Sequence, residues 1–230
     1  MIDLATQRYA LLALAAAALF GASTPLAKLL LADTSPGLLA GLLYLGSGAG
    51  LALVRTLRRG RTAEAPLQAH DLPWLAGAVL SGGIAAPLLL LWGLAGANAS
   101  GVSLLLNLES LATALIAALL FREAVGARIW LAACLMLAAG LLLSYDPGAL
   151  SGLSPRALAV AAACALWALD NNLTRRIAAA DPVSIAMIKG LAAGCVNSVA
   201  ALALGAQLPP ALPLTAALAL GWLAYGVSLI

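Results

Sequence analysis

Four side chains of charged type lie inside long apolar stretches of this 230-residue chain: Lys28, Glu109, Asp170 and Lys189. Placing an Asp or Lys at the centre of a membrane helix costs roughly 2.5–3.5 kcal/mol on insertion scales, so such groups face a protein partner or a wet cavity. Two acids and two bases make the set neutral when fully ionised, and their chemistry is proton exchange or counter-charge rather than covalent catalysis. Glu109 sits at the middle of its apolar run, after Leu104-Leu105-Leu106-Asn107-Leu108. Its side chain is too short to reach an interface, so it is protonated, paired or hydrated. Asp170 shares a helix face with Trp167, Asn171 and Thr174 at the i, i+3, i+4, i+7 spacing, and Asn172 adds a third polar group. A polar stripe beside an aromatic ring suits an amphipathic organic solute; alternatively Asp170 neutralises Arg175 or Arg176 nearby. Lys189, at similar depth on the following helix, reads as a partner for Asp170. Lys28 is close enough to a helix end to extend outward to the interface.

The elements that must hold these groups are membrane helices. With 63% hydrophobic residues, 9% charged residues and a mean hydropathy of +1.04, the chain has too little polar surface for a water-soluble globule. Eight apolar blocks approach the spanning length of about 20 residues: 9–31, 37–54, 72–95, 100–120, 129–145, 157–174, 183–204 and 214–230. The fifth and eighth are at the short limit. Continuous runs such as 131–143 do not alternate as barrel strands would, so the fold class is an all-α polytopic bundle. With a cytoplasmic N-terminus, Arg8, Arg55, Arg58, Arg59, Arg61, Arg122, Arg128, Arg175 and Arg176 fall on the cytoplasmic side and only Arg156 falls outside. The net charge of +3 reports this orientation and attraction to anionic headgroups, not nucleic acid. Arg58, Arg59 and Arg61 read as a solvated cytoplasmic anchor. The first apolar run is too long for a cleaved signal. Cys134, Cys164 and Cys195 lack paired or metal-ligand spacing and read as small buried apolar residues.

Aligning the chain with itself at an offset of 147 places Ala18-Leu19-Phe20 over Ala165-Leu166-Trp167, Leu26 over Leu173 and Lys28 over Arg175. A one-residue slip then sets Pro36 over Pro182 and Gly48 over Gly194. Five spans separate the two starts, and an odd number makes the second copy cross the membrane in the opposite sense, an inverted-topology repeat common among secondary transporters. The copies are 1–146, with five helices, and 147–230, with three, so a fragment of a ten-helix protein is expected, the alternative being a complete eight-helix protein. The aligned windows Gly21-Ala22-Ser23-Thr24-Pro25 and Ala168-Leu169-Asp170-Asn171-Asn172 are expected to line a cavity, the alternative being a packing kink and a helix-end cap. Gly46 with Gly50, Gly77 with Ser81, and Gly190 with Gly194 permit close helix approach. Pro87 should kink the third helix, while Asn107, Ser103 and Ser110 should bind the fourth to a neighbour.

The chain has no G-x-x-x-x-G-K-[ST] loop, no G-x-S-x-G elbow, and one histidine, His70, without metal-spaced neighbours. An enzyme is disfavoured, and no cofactor, metal or catalytic residue is expected.

The run 104–109, followed by Phe121-Arg122-Glu123 and Gly140, resembles the drug/metabolite transporter superfamily and specifically its EamA-like family. Residues 167–175 with Asp181-Pro182 look like the start of a second EamA unit. The resemblance implies a ten-helix, two-unit exporter or permease of small metabolites. It also implies that Ser110 stands where many relatives have a proline, so that any break in their fourth helix is absent here, and that Glu123 is an interfacial structural residue. The function expected is a secondary transporter in the plasma (bacterial inner) membrane, moving a small metabolite or amphipathic solute by alternating access with proton coupling as an option. Its pathway residues would be Glu109, Asp170, Asn171, Trp167, Lys189, Asn172 and Lys28. An intramembrane enzyme or lipid-carrier-handling protein is the alternative. The partners expected are a small-molecule substrate and the lipid bilayer, with no nucleic acid; a homo-oligomer is compatible with this reading.

Overall fold

The computed structural model describes residues 4–57, 65–121, 126–145 and 154–227. The basic anchor Arg58, Arg59 and Arg61, and Arg122 with Glu123, lie outside the described residues. Eight helical segments appear where the apolar blocks place them: α1 (Leu4–Leu30), α2 (Pro36–Leu57), α3 (Ala69–Ala95), α4 (Ala99–Leu105 continued by Leu108–Phe121), α5 (Ala127–Ser144), α6 (Pro155–Arg176), α7 (Pro182–Ala203) and α8 (Ala211–Gly226). Six of them, all but α5 and α8, are long and apolar enough to cross a membrane. The shorter apolar stretches are Ala127–Gly140 and Ala211–Gly226, the two blocks that were at the short limit. No strand forms among the described residues, and the fold is a polytopic helical bundle.

Proline opens α2, α6 and α7, where its missing N–H has no helical partner to lose. The side chain of Asn98 accepts from Gly101 N–H at 2.8 Å at the head of α4, and Asp181 accepts from Val183 and Ser184 N–H at 3.1 Å at the head of α7.

The helices form two compact units. The first holds Met1–Ala65 and Ala180–Ile230, and thus α1, α2, α7 and α8; the second, Pro66–Ala179, holds α3 to α6. Each therefore contains helices from before and after residue 147. In the first unit α2 is central, packed on α7 and α8, with α1 against α8. Lipid offers no hydrophobic drive for helix association, so backbone proximity and van der Waals contact must supply it. Gly41 and Gly48 on one face of α2 meet Ser198 and the Gly190–Leu191 backbone of α7. Gly46 and Gly50 on another face meet Leu218 and Trp222 of α8. A Cβ on Gly190 would lie 2.8 Å from Gly48 Cα and 3.0 Å from the Tyr44 carbonyl.

In the second unit α6 is central, packed on α3, α4 and α5. Its small residues Ala163, Cys164 and Ala168 are fully buried. Cys134 and Cys195 are instead exposed, contrary to the expectation of burial: they lie on faces of α5 and α7 that no neighbour covers, where a small thiol suits lipid. Arg156, the arginine apart from the others, holds its guanidinium 3.9 Å over the Trp92 ring and donates to the Trp92 carbonyl in the last turn of α3. It neutralises the negative end of that helix.

A backbone-to-backbone seam cannot relax around added bulk. Gly190→Val should lower the thermal midpoint of the purified protein by several degrees, about 1–3 kcal/mol of overpacking, whereas Gly21→Ala, with nothing within 4 Å of its Cβ position, should leave it unchanged.

Candidate functional site

Two irregularities in the second unit create the polar region around α6. In α3, residues Val79–Ala85 adopt a π-helical turn, and Ala86 N–H bonds back to the Ser81 carbonyl. Pro87, one residue on, cannot donate to a preceding carbonyl. The widened turn absorbs the proline expected to kink the helix, and such turns are frequent at functional sites. The Trp167 indole Nε1 donates to the Gly82 carbonyl at 2.9 Å. Only a glycine fits here, because the Asp170 carboxylate occupies the space that a Cβ on Gly82 would take. Asp170 is 3% exposed, and its Oδ1 accepts from Thr174 Oγ1 at 3.0 Å. Trp167, Asp170 and Thr174 are three of the four residues expected to share one stripe; Asn171 turns elsewhere.

The second irregularity corrects the expectation of an uninterrupted fourth helix. α4 stops at Leu105 and resumes at Leu108. Ser110 is not what decides this; Asn107 turns its side chain back onto the Leu104 carbonyl at 2.9 Å, a local bond that competes with the helix. Asn107 is exposed and caps its own helix rather than binding a neighbour. Cys164 Sγ lies 3.6 Å from the Leu105 carbonyl and covers the break from α6.

The break leaves Glu109 in the first turn of the resumed helix, where the backbone dipole favours a negative charge. Glu109 is half-buried, and its Oε1 accepts from Asn171 Nδ2 at 2.9 Å. The same nitrogen lies 3.3 Å from Thr113 Oγ1, and Thr113 donates to the Glu109 carbonyl at 2.8 Å. Asn172, 3% exposed, donates to the carbonyls of Thr113 at 3.2 Å and Ala168 at 2.8 Å. Asn171 itself is exposed. The stripe read from the sequence therefore divides: Trp167, Asp170 and Thr174 turn toward α3, and Asn171 and Asn172 toward α4. Thr113 and Gly82 were not singled out, although Thr113 lies one helical turn after Glu109 and Gly82-Gly83 shortly precedes Pro87.

Lys28 and Lys189 belong to the first unit, on α1 and α7, and both are half-buried. In that unit the Pro25 window is also structured. α1 continues through Pro25, Ser23 Oγ donates to the Phe20 carbonyl at 2.6 Å, and Tyr225 Oη lies 3.4 Å from Ser23 Oγ. The Tyr225 ring meets Phe20 edge-on at 5.8 Å and stacks with Tyr44 at 6.2 Å. Among the described residues, no group of three or more His, Cys, Asp or Glu is placed to hold a metal ion.

A helical membrane bundle with carboxylates at depth is the setting for comparison with known proteins. The model of the EamA-like transporter family matches residues 7–145, more than half of the sequence. The chain belongs to the EamA-like transporter family. It is thus a multi-pass membrane protein of the drug/metabolite transporter superfamily, whose members are transporters rather than enzymes. A solved crystal structure described only as that of a protein is similar at 22% identity, with a TM-score of 0.67, over 95% of this chain and 75% of that one. At that identity the likeness concerns the fold alone. No curated protein matches.

Trp167→Phe keeps an aromatic side chain, though a smaller one, and leaves the Gly82 carbonyl without its indole donor. The substitution should destabilise the protein by about 1–3 kcal/mol, read as a lower thermal midpoint in detergent. Asn171→Ala, at an exposed position, should cost much less.

Proposed function

We propose that this EamA protein is a secondary transporter of the plasma (bacterial inner) membrane, an exporter or permease that moves a small metabolite or amphipathic solute by alternating access and couples it to protons through Glu109. The observation that carries the reading is the setting of Glu109: half-buried, in the first turn after a helix break, held by the exposed amide of Asn171. A carboxylate facing acyl chains would be strongly disfavoured, and a half-accessible one with an amide partner can exchange a proton with a wet cavity. Asn171, Asn172, Asp170 and Trp167 serve as solute contacts or as the frame that fixes them, with Lys189 and Lys28 as the basic members of the set. The N-terminus is cytoplasmic by the arginine distribution.

Residues 1–146 and 147–230 act as two inverted copies in this proposal. Supporting it, α1 of the first copy packs on α8, the third helix of the second, while α6 of the second packs on α3, the third helix of the first. Both third helices carry a π-helical turn, Val79–Ala85 and Trp222–Gly226. At those turns the aligned residues Phe20 and Trp167 make their contacts, with Tyr225 and Gly82 respectively.

The test is flux in proteoliposomes under an imposed pH gradient, with a panel of radiolabelled amino acids, nucleosides, sugars and organic amines. At least one panel member should move faster with the gradient than without it. Glu109→Gln should remove that dependence while leaving expression and thermal midpoint near those of the parent. Undiminished gradient dependence in the variant would remove Glu109 from coupling.

A further inference from the structure

The polypeptide passes from the first unit to the second after Ala65 and returns at Ala180. These two crossing points are tied to one another. Ala65 and Ala180 form an isolated parallel β-bridge, and Asp181 N–H donates to the Ala65 carbonyl at 3.0 Å. The tie is anchored in the first unit by a cluster built on the buried Asp181 and Ser184. Asp181, 3% exposed, accepts from the N–H groups of Val183 and Ser184 at 3.1 Å and from the Ser184 hydroxyl. Arg55, in the last turn of α2, donates to that hydroxyl and lies 3.9 Å from Asp181 Oδ2. One carboxylate thus caps α7, holds α2 through Arg55, and sits on the residue whose amide bonds the Ala65 carbonyl.

We propose that this bridge between Ala65 and Ala180 is the pivot of the transport cycle, with Asp181, Arg55 and Ser184 as positioning residues that keep the two bridged segments together while the second unit moves. The proposal rests on the alternating-access reading above. Two facts favour a pivot over a gate. A gate must open once per cycle, whereas the side chains of Asp181, Ser184 and Arg55 that hold the tie in place are committed to bonds that cap α7 or join it to α2 within one unit. A motion that leaves the first unit intact leaves the tie intact as well. In addition, two crossings joined at one bridge restrict a moving body more than one crossing can, since separated linkers permit independent excursions.

The test uses the full chain in nanodiscs, with Cys134, Cys164 and Cys195 replaced by Ala and cysteines introduced as Ala65→Cys and Ala180→Cys. Paired strands run about 4.8 Å apart, within the span a disulfide bridges. Fluorophores attached through unnatural amino acids at the exposed positions Ala32, in the first unit, and Ser100, in the second, report single-molecule energy transfer. Oxidation should form the disulfide and leave two exchanging transfer populations as in the reduced protein. A single population appearing only after oxidation means that the bridged segments must part, and overturns the pivot; failure to form the disulfide overturns it as well. A single population already present in the reduced protein ends the alternating-access reading, and the pivot falls with it. The anchor is read separately: Arg55→Gln should slow disulfide formation roughly twofold to fivefold, as expected for a partly exposed ion pair, and Arg55→Lys should restore most of the rate. An unchanged rate in Arg55→Gln removes Arg55 from the anchor.

Discussion

Hydrocarbon contains no water to bond an orphaned peptide group, so every departure from a regular helix must be covered by another part of the protein. This constraint organises the second unit. α3 widens into a π-turn near Pro87, and Trp167 of α6 covers the Gly82 carbonyl. α4 breaks at Leu106–Asn107, and its loosened carbonyls are covered by Asn107 itself and by the thiol of Cys164. The first unit shows the same relation on a smaller scale, where Ser23 bonds the Phe20 carbonyl beside Pro25. Polar groups and helix defects occur together because neither is stable at membrane depth without the other.

The same constraint separates polar residues that hold the frame from those that remain accessible. Asp170 and Asn172 are buried and committed to Thr174, Thr113 and Ala168. Removing one partner of such a group leaves a buried polar atom unsatisfied, which is the expensive outcome. Glu109 and Asn171 are more open and bond one another. Chemistry that needs exchange with a cavity belongs to this second pair, and the first set supplies the rigid helix spacing that positions it.

The eight helices were legible because length and apolarity suffice to define a spanning segment, and the short limit of the fifth and eighth was legible for the same reason. Glu109 and Asp170 stood out because a charge in an apolar run has few explanations. Which acid meets which amide was not legible, since Asn171 is adjacent in sequence to Asp170 yet turns to a different neighbour, a matter of how α6 is rotated between α3 and α4. The break in α4 was not legible because no proline marks it, position 110 being serine, and Asn107 ends the helix through its own side chain. The cluster of Arg55, Asp181 and Ser184 joins residues more than a hundred positions apart, and no local spacing announces it.

The division of the first unit between the two ends of the chain has a consequence for biosynthesis. The glycine face of α2 has its partner in α7, which the ribosome delivers more than a hundred residues later. At translation rates of about 5–20 residues per second, that interval is on the order of ten seconds. During it α1 and α2 are inserted but lack their final neighbours, while the contiguous helices α3 to α6 can already assemble. The nascent protein therefore matures from its middle outward, and the translocon or an insertase must shelter an incomplete helix pair until α7 emerges to close it.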